Sequence, residues 1–189
     1  MLNSDAWTQL REQCEQCRLC ELHEHRTQLV FGAGDVGARL MLIGEAPGEK
    51  EDLSGTPFIG RSGRQLDALL EEAGLDRSTV YIANTVKCRP PANRDPSPAE
   101  LNACGVWLSR QIELLAPRVI VCLGKFAARR MIDPKFMISQ QHGQWFTTSD
   151  GRDITAIYHP AALLRNPGRR PDTLADLKSV RARLLQPAP

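Results

Sequence analysis

The chain reads as a single α/β domain built on a four-stranded parallel sheet flanked by helices, and three observations predict it. Short aliphatic and β-branched runs recur along the chain. Helical patterns with one apolar face lie between them. Each run ends in Gly, Asn or His, where a buried strand gives way to a loop. Strands alternating with helices make a parallel sheet with right-handed crossovers. In open sheets of this kind ligands bind beyond the carboxyl ends of the strands.

The first strand is "ARLMLIG" (38–44). It leads into "GEAPGEKED" (44–52), where Glu45, Glu49, Glu51 and Asp52 crowd a glycine–proline turn. By the strand-end rule this acidic stretch is a loop at the rim of a cleft. "SGRQLDALLEEAG" (62–74) sets Leu66, Leu69 and Leu70 on one helical face and stops at Gly74. The preceding "GRSGRQLD" reads either as amides and Ser62 meeting a phosphate or as a plain helix start. "VYIANTV" (80–86) is the second strand. "SPAELNACGVWLSRQIELLAP" (97–117) opens on a Ser-Pro cap and stops before Pro117. "RVIVCLG" (118–124) and "ITAIYH" (154–159) complete the strands. A last helix over roughly 172–185 repeats Leu174, Leu177, Val180 and Leu184.

The whole chain, 189 residues, is enough for one domain with a substantial core. Formal net charge is +2, but the distribution is uneven. Residues 165–183 hold Arg165, Arg169, Arg170, Lys178, Arg181 and Arg183, a basic surface suited to a polyanion without high overall charge. No apolar run is long enough for a membrane helix, and "MLNSDAWTQLREQC" has no apolar core for a signal peptide. A soluble cytoplasmic protein is expected, and six cysteines in such a chain point to metal ligands or buried thiols rather than disulfides. "CEQCRLC" holds Cys14, Cys17 and Cys20; Cys88 follows the second strand and Cys104 lies in the next helix. A C-x-x-C pair with two further cysteines gives four-sulfur coordination, by zinc or by an iron–sulfur cluster. Cys122, within a strand, reads as a buried apolar thiol.

In order and spacing, "CRLCELHEHRTQLVFG", "GEAPGEKEDLSGTPFIGRSGRQLD", "NTVKCRPPANRDP", "QIELLAPRVIVCLG" and "HPAALLRNP" resemble the family 4, iron–sulfur, uracil-DNA glycosylases. These segments run from about Cys17 to Pro167, most of the chain. The resemblance implies a 4Fe–4S cluster on Cys17, Cys20, Cys88 and Cys104, structural in role, with Cys14 left over or exchanging within its run. It implies an enzyme of DNA base excision repair that takes uracil-containing DNA, single- or double-stranded, hydrolyses the uracil N-glycosidic bond and leaves an abasic site. A monomer in the cytoplasm, associated with the nucleoid, is expected.

Cleaving that bond makes the sugar cationic and the base anionic, after the base has been flipped into a pocket. Asn84 can accept from uracil N3–H and donate to O4, a pattern that cytosine reverses. Phe58 stacks on the base, and His159 donates to O2 as charge develops. Gly44 and Ala46 line the base pocket. The best-known superfamily members carry an Asp and a bulky Tyr in the turn where this chain has Ala46 and Gly48. The lost negative charge is assigned to Glu51, with Glu45 beside it. Leu163 and Leu164 follow the histidine as wedges for the gap left in the stack. Ser62, Arg165, Arg169 and Arg170 hold phosphates. Two other readings compete. A DNA-trapping relative carries a Gln in place of Ala46 and a His-containing insert that this chain lacks. A metal-stabilised nucleotide-binding module would need G-x-G-x-x-G after the first strand, and "GEAPG" stands there.

Overall fold

The computed structural model describes residues 4–187. The four aliphatic runs become the central strands, and two very short strands flank them: β1 (Ala33–Gly34), β2 (Leu40–Gly44), β3 (Val80–Asn84), β4 (Val119–Leu123), β5 (Phe146–Thr147) and β6 (Asp153–Ile157). Their spatial order is β1-β3-β2-β4-β6-β5. The pairs among β3, β2, β4 and β6 are parallel, whereas β1 and β5 add antiparallel edges. Among the described residues the sheet is therefore six-stranded and mixed, a correction to the four-stranded parallel expectation. Each added edge is two residues long, too short to leave a period-2 pattern.

The helices are α1 (Ser4–Glu15), α2 (Leu22–His25), α3 (Glu49–Ser54), α4 (Arg61–Glu72), α5 (Pro98–Leu115), α6 (Lys125–Met131), α7 (Ile138–Gln141), α8 (Pro160–Arg165) and α9 (Arg170–Leu185). Helix α5 starts where its sequence says. Ser97 accepts from the Glu100 amide, and the Glu100 carboxylate accepts from the Ser97 amide, a complete capping box. Side chains alternate between the two faces of the sheet. Leu40, Leu42, Ile82 and Val121 meet Leu66, Leu69, Leu177 and Val180 of α4 and α9 on one face. Met41, Ile43, Ala83 and Cys122 meet Leu108, Leu115 and Ala127 of α5 and α6 on the other. Each fully buried aliphatic side chain contributes about 1.5–3 kcal/mol. Cys122, 0% exposed, belongs to this second layer. A third, smaller core joins α1 to α5 around the other cysteines.

The acidic stretch is only half a loop. Residues after Gly48 enter α3, with Glu49, Glu51 and Asp52 in its first turn, where carboxylates complement the helix dipole. Asp52, 2% exposed, accepts the Thr27 amide at 3.0 and 3.1 Å and clamps α3 to the chain after α2.

Candidate active site

A cleft of about 590 Å³ opens beyond the carboxyl ends of the four parallel strands. Strand register builds its floor. Gly44 ends β2 directly beside Asn84, which ends β3. A Cβ on Gly44 would lie 2.4 Å from Asn84 Oδ1 and 2.7 Å from the Phe58 ring, so only glycine lets these two side chains close over the strand end. Asn84 is 2% exposed, yet its Oδ1 has no hydrogen-bond partner. Phe58 is held at φ 54°, sparsely populated for a bulky residue. Arg77 Nη2 steadies it through the carbonyls of Pro57 (3.1 Å) and Phe58 (3.3 Å). The Phe58 ring lies 5.8 Å from the His159 ring.

His159 is the N-cap of α8, and its Nδ1 accepts the Ala161 amide at 3.1 Å. A neutral imidazole bonded this way carries its proton on Nε2. Burial, and then the charge of Arg165, push its pKa down to about 4. The ring is therefore a neutral N–H donor at physiological pH.

Three carboxylates line the same cleft: Glu45, Glu51 and Asp95. Glu51, 8% exposed, accepts the amides of Ile59 (3.0 Å) and Gly60 (2.9 Å) on one oxygen. Its other oxygen lies 2.8 Å from where a Cβ of Gly48 would be. A larger residue at 48 would displace Glu51, so the open turn and the carboxylate belong together. Glu45 is pushed up to about 7 by burial and then by Asp95, through charge and a hydrogen bond, against the lowering effect of Lys125.

Most of the expected site residues meet here: Glu45, Ala46, Glu51, Phe58, Ser62, Asn84, His159 and Arg165 all line the cleft. Ser62 sits inside the first turn of α4, whose N-cap is Gly60, so its hydroxyl does not cap the helix. The two leucines part company. Leu164 is 40% exposed, while Leu163 is 3% exposed in the core against α4 and α9, so Leu164 is the one of the pair that presents a surface. Arg169 lies over the Tyr158 ring, 3.7 Å from Asp172, and Arg170 pairs with Glu72 at 2.5 Å, so intramolecular acids already occupy both. Sequence reasoning missed Asp95, Lys125 and Tyr158, all of which line the cleft. The strand-end rule applied to "LGKFA" and "IYH" points to Lys125 and Tyr158. Arg94 pairs with Glu100, holds that carboxyl at about 2, and so pins the loop that carries Asp95.

A second, small cavity is lined by Cys14, Cys17, Cys20, Cys88 and Cys104 with Trp107 and Leu29. N–H donors aim at three of the sulfurs. Trp107 Nε1 donates to Cys17 at 3.1 Å, Arg26 to Cys88 at 3.3 Å and the Lys87 amide to Cys104 at 3.3 Å. Such donors stabilise thiolate ligands. Among the described residues, no three His, Cys, Asp or Glu side chains converge closely enough to hold a metal ion. The five cysteines line one cavity without the close convergence that four ~2.3 Å bonds to a single zinc require.

The family model for the uracil DNA glycosylase superfamily matches residues 31–184. Among curated proteins, the chain is 45% identical over 171 residues to a type-4 uracil-DNA glycosylase of Archaeoglobus fulgidus, covering 87% of this chain and 86% of that one. It is 45% identical over 156 residues to the type-4 enzyme of Thermotoga maritima, covering 82% and 81%. A type-5 uracil-DNA glycosylase of Thermus thermophilus is 35% identical over 159 residues, covering 74% and 72%.

Proposed function

From the premise that this chain belongs to the uracil DNA glycosylase superfamily, we propose how its cleft removes uracil from DNA. The chain is a uracil-DNA glycosylase of DNA repair. The observation that carries the finer reading is the unpartnered Asn84 Oδ1 on the cleft floor. An unsatisfied buried acceptor costs about 1–3 kcal/mol. Uracil N3–H supplies the missing donor, while the Asn84 amide N–H donates to O4. Cytosine offers a lone pair at N3 and an amino group at C4, so it mismatches both.

Phe58, whose ring closes over Gly44, stacks on the flipped base. His159 Nε2–H donates to O2 as the C–N bond breaks and the base takes up negative charge. Because the imidazole is neutral, this is hydrogen-bond stabilisation without prior protonation. Glu51, fixed by two amides, places a negative charge that needs no reorganisation beside the cationic sugar. Glu45 shares that wall and orients the attacking water. Leu164 enters the gap in the stack, and Arg165 and Ser62 meet flanking phosphates.

Cys17, Cys20, Cys88 and Cys104 are proposed to hold a 4Fe–4S cluster. Their donor set fits, and the N–H groups aimed at Cys17, Cys88 and Cys104 suit thiolates. These four residues would then tie the segment between α1 and α2 to α5 and to the loop after β3.

The test is single-turnover cleavage of a uracil-containing single strand, followed by hot alkali. Wild type should give strand breaks, and His159→Ala should be slower by about 10²–10³-fold, the scale of one lost oxyanion donor. Equal rates would remove His159 from the chemistry. No breaks from folded wild type would overturn the reading.

A further inference from the structure

Lys87 stands outside the cleft and is 1% exposed. It lies three residues past Asn84 and directly before Cys88. Its ammonium donates to the Asn84 main-chain oxygen at 3.0 Å and to Gln111 Oε1 at 2.6 Å. Its own amide donates to Cys104 Sγ. Gln111, 0% exposed on α5, is fixed in turn: its Nε2 donates to the Phe31 carbonyl at 2.9 Å and to the Tyr81 hydroxyl at 3.4 Å. One side chain thus joins the strand end that bears Asn84, the helix that bears Cys104 and the wall of the cysteine cavity.

A lysine sealed from water is costly unless a counter-charge faces it. Both acceptors of this ammonium are neutral. It shares the wall of the small cavity with Cys14, Cys17, Cys20, Cys88 and Cys104. Held as cluster ligands, sulfurs on that wall would supply the counter-charge. A side chain needed only to fill this space would be apolar.

We propose that Lys87 is a positioning residue that fixes the Asn84 strand end for base reading and serves as counter-cation to the cysteine-held cluster. Cluster occupancy and base selectivity are thereby coupled through one ammonium. The proposal rests on reading Asn84 as the base reader and the four cysteines as cluster ligands.

Lys87→Met keeps the length and apolar stem and removes the donor and the charge. The measurement uses cluster-loaded protein and an oligonucleotide with a 2′-fluorinated deoxyuridine, whose fluorine suppresses sugar-cation formation, against the same strand carrying deoxycytidine. Wild type should prefer the uracil strand. In Lys87→Met that preference should fall about tenfold, the scale of one charge-assisted hydrogen bond. Affinity for the cytosine strand should hold, and the cluster's reduction potential should move negative because a nearby cation has gone. Should Lys87→Met fail to load the cluster, Gln111→Leu carries the test. It keeps the charge and frees one anchor, so selectivity should fall severalfold with the potential close to wild type. Wild-type selectivity in a cluster-loaded variant would overturn the proposal while leaving Asn84 as the reader. A wild type that itself does not prefer uracil would overturn the base-reading account, and the strut with it.

Discussion

The cleft and the cysteine cavity lie near the same strand ends but are finished in opposite ways. The cleft leaves buried polar atoms, Asn84 Oδ1 and the Tyr158 hydroxyl, without partners. The cysteine cavity directs N–H donors from Trp107, Arg26 and Lys87 at its sulfurs. Unsatisfied polar atoms are a penalty that a visiting ligand relieves. Sulfurs with donors already in place are set for a permanent occupant. On the proposed reading, the first cavity takes a base that comes and goes and the second a group that holds the fold.

The sharpest way to break this contrast is to remove a cysteine from each environment. Cys104→Ala should abolish visible iron–sulfur absorbance and lower Tm by roughly 10 °C, as several kcal/mol of ligand-dependent folding energy disappear. Cys122→Ala, in the sheet core, should keep the absorbance. A Cys104→Ala protein that stays brown would take Cys104 out of the ligand set.

A smaller effect tests whether the cleft uses charge. Glu51→Gln keeps an acceptor for the Ile59 and Gly60 amides but removes the negative charge. The single-turnover rate should drop about tenfold, with Tm close to wild type. An unchanged rate would reduce Glu51 to a loop clamp.

Glu45 adds a pH signature. Burial and Asp95 raise it to about 7, so it is protonated below that value and ionised above it. The rate should rise with pH through about 7 and flatten in Glu45→Gln. His159, held near 4, stays neutral across that range and adds no step to it. A Glu45→Gln profile identical to wild type would remove Glu45 from the chemistry.

The smallest effect separates the two leucines. Leu164→Ala should slow duplex cleavage a few-fold more than single-strand cleavage, because only a duplex leaves a gap to fill. Leu163→Ala should instead cost about 2–5 kcal/mol of stability, as core truncations do. Equal losses on both substrates for Leu164→Ala would count against the wedge.

Much of this contrast was legible in the residues. β2, β3 and β4 fall inside the aliphatic runs and β6 starts one residue before its run, because buried strands need continuous apolar stretches. The strand-end rule located Glu45, Asn84 and His159 at one rim. The two edge strands were illegible at two residues each. Burial that defies residue type was illegible too. Lys87 reads as a surface charge because lysine is almost never fully buried, and only tertiary packing shows it sealed behind Asn84. "LL" at 163–164 carries no sign of which leucine faces solvent until α8 fixes the rotation. Gly48 reads as a missing gate, but its closeness to Glu51 shows a glycine that the carboxylate requires.

The central claim is that the unpaired acceptor on the cleft floor reads uracil. The most direct measurement is single-turnover uracil excision by Asn84→Ala beside wild type, with the cluster absorbance of both recorded. The account expects matching absorbance and a rate lower by about 10²-fold or more, since a misplaced or unread base forfeits the oriented geometry. Matching absorbance with a matching rate would contradict it.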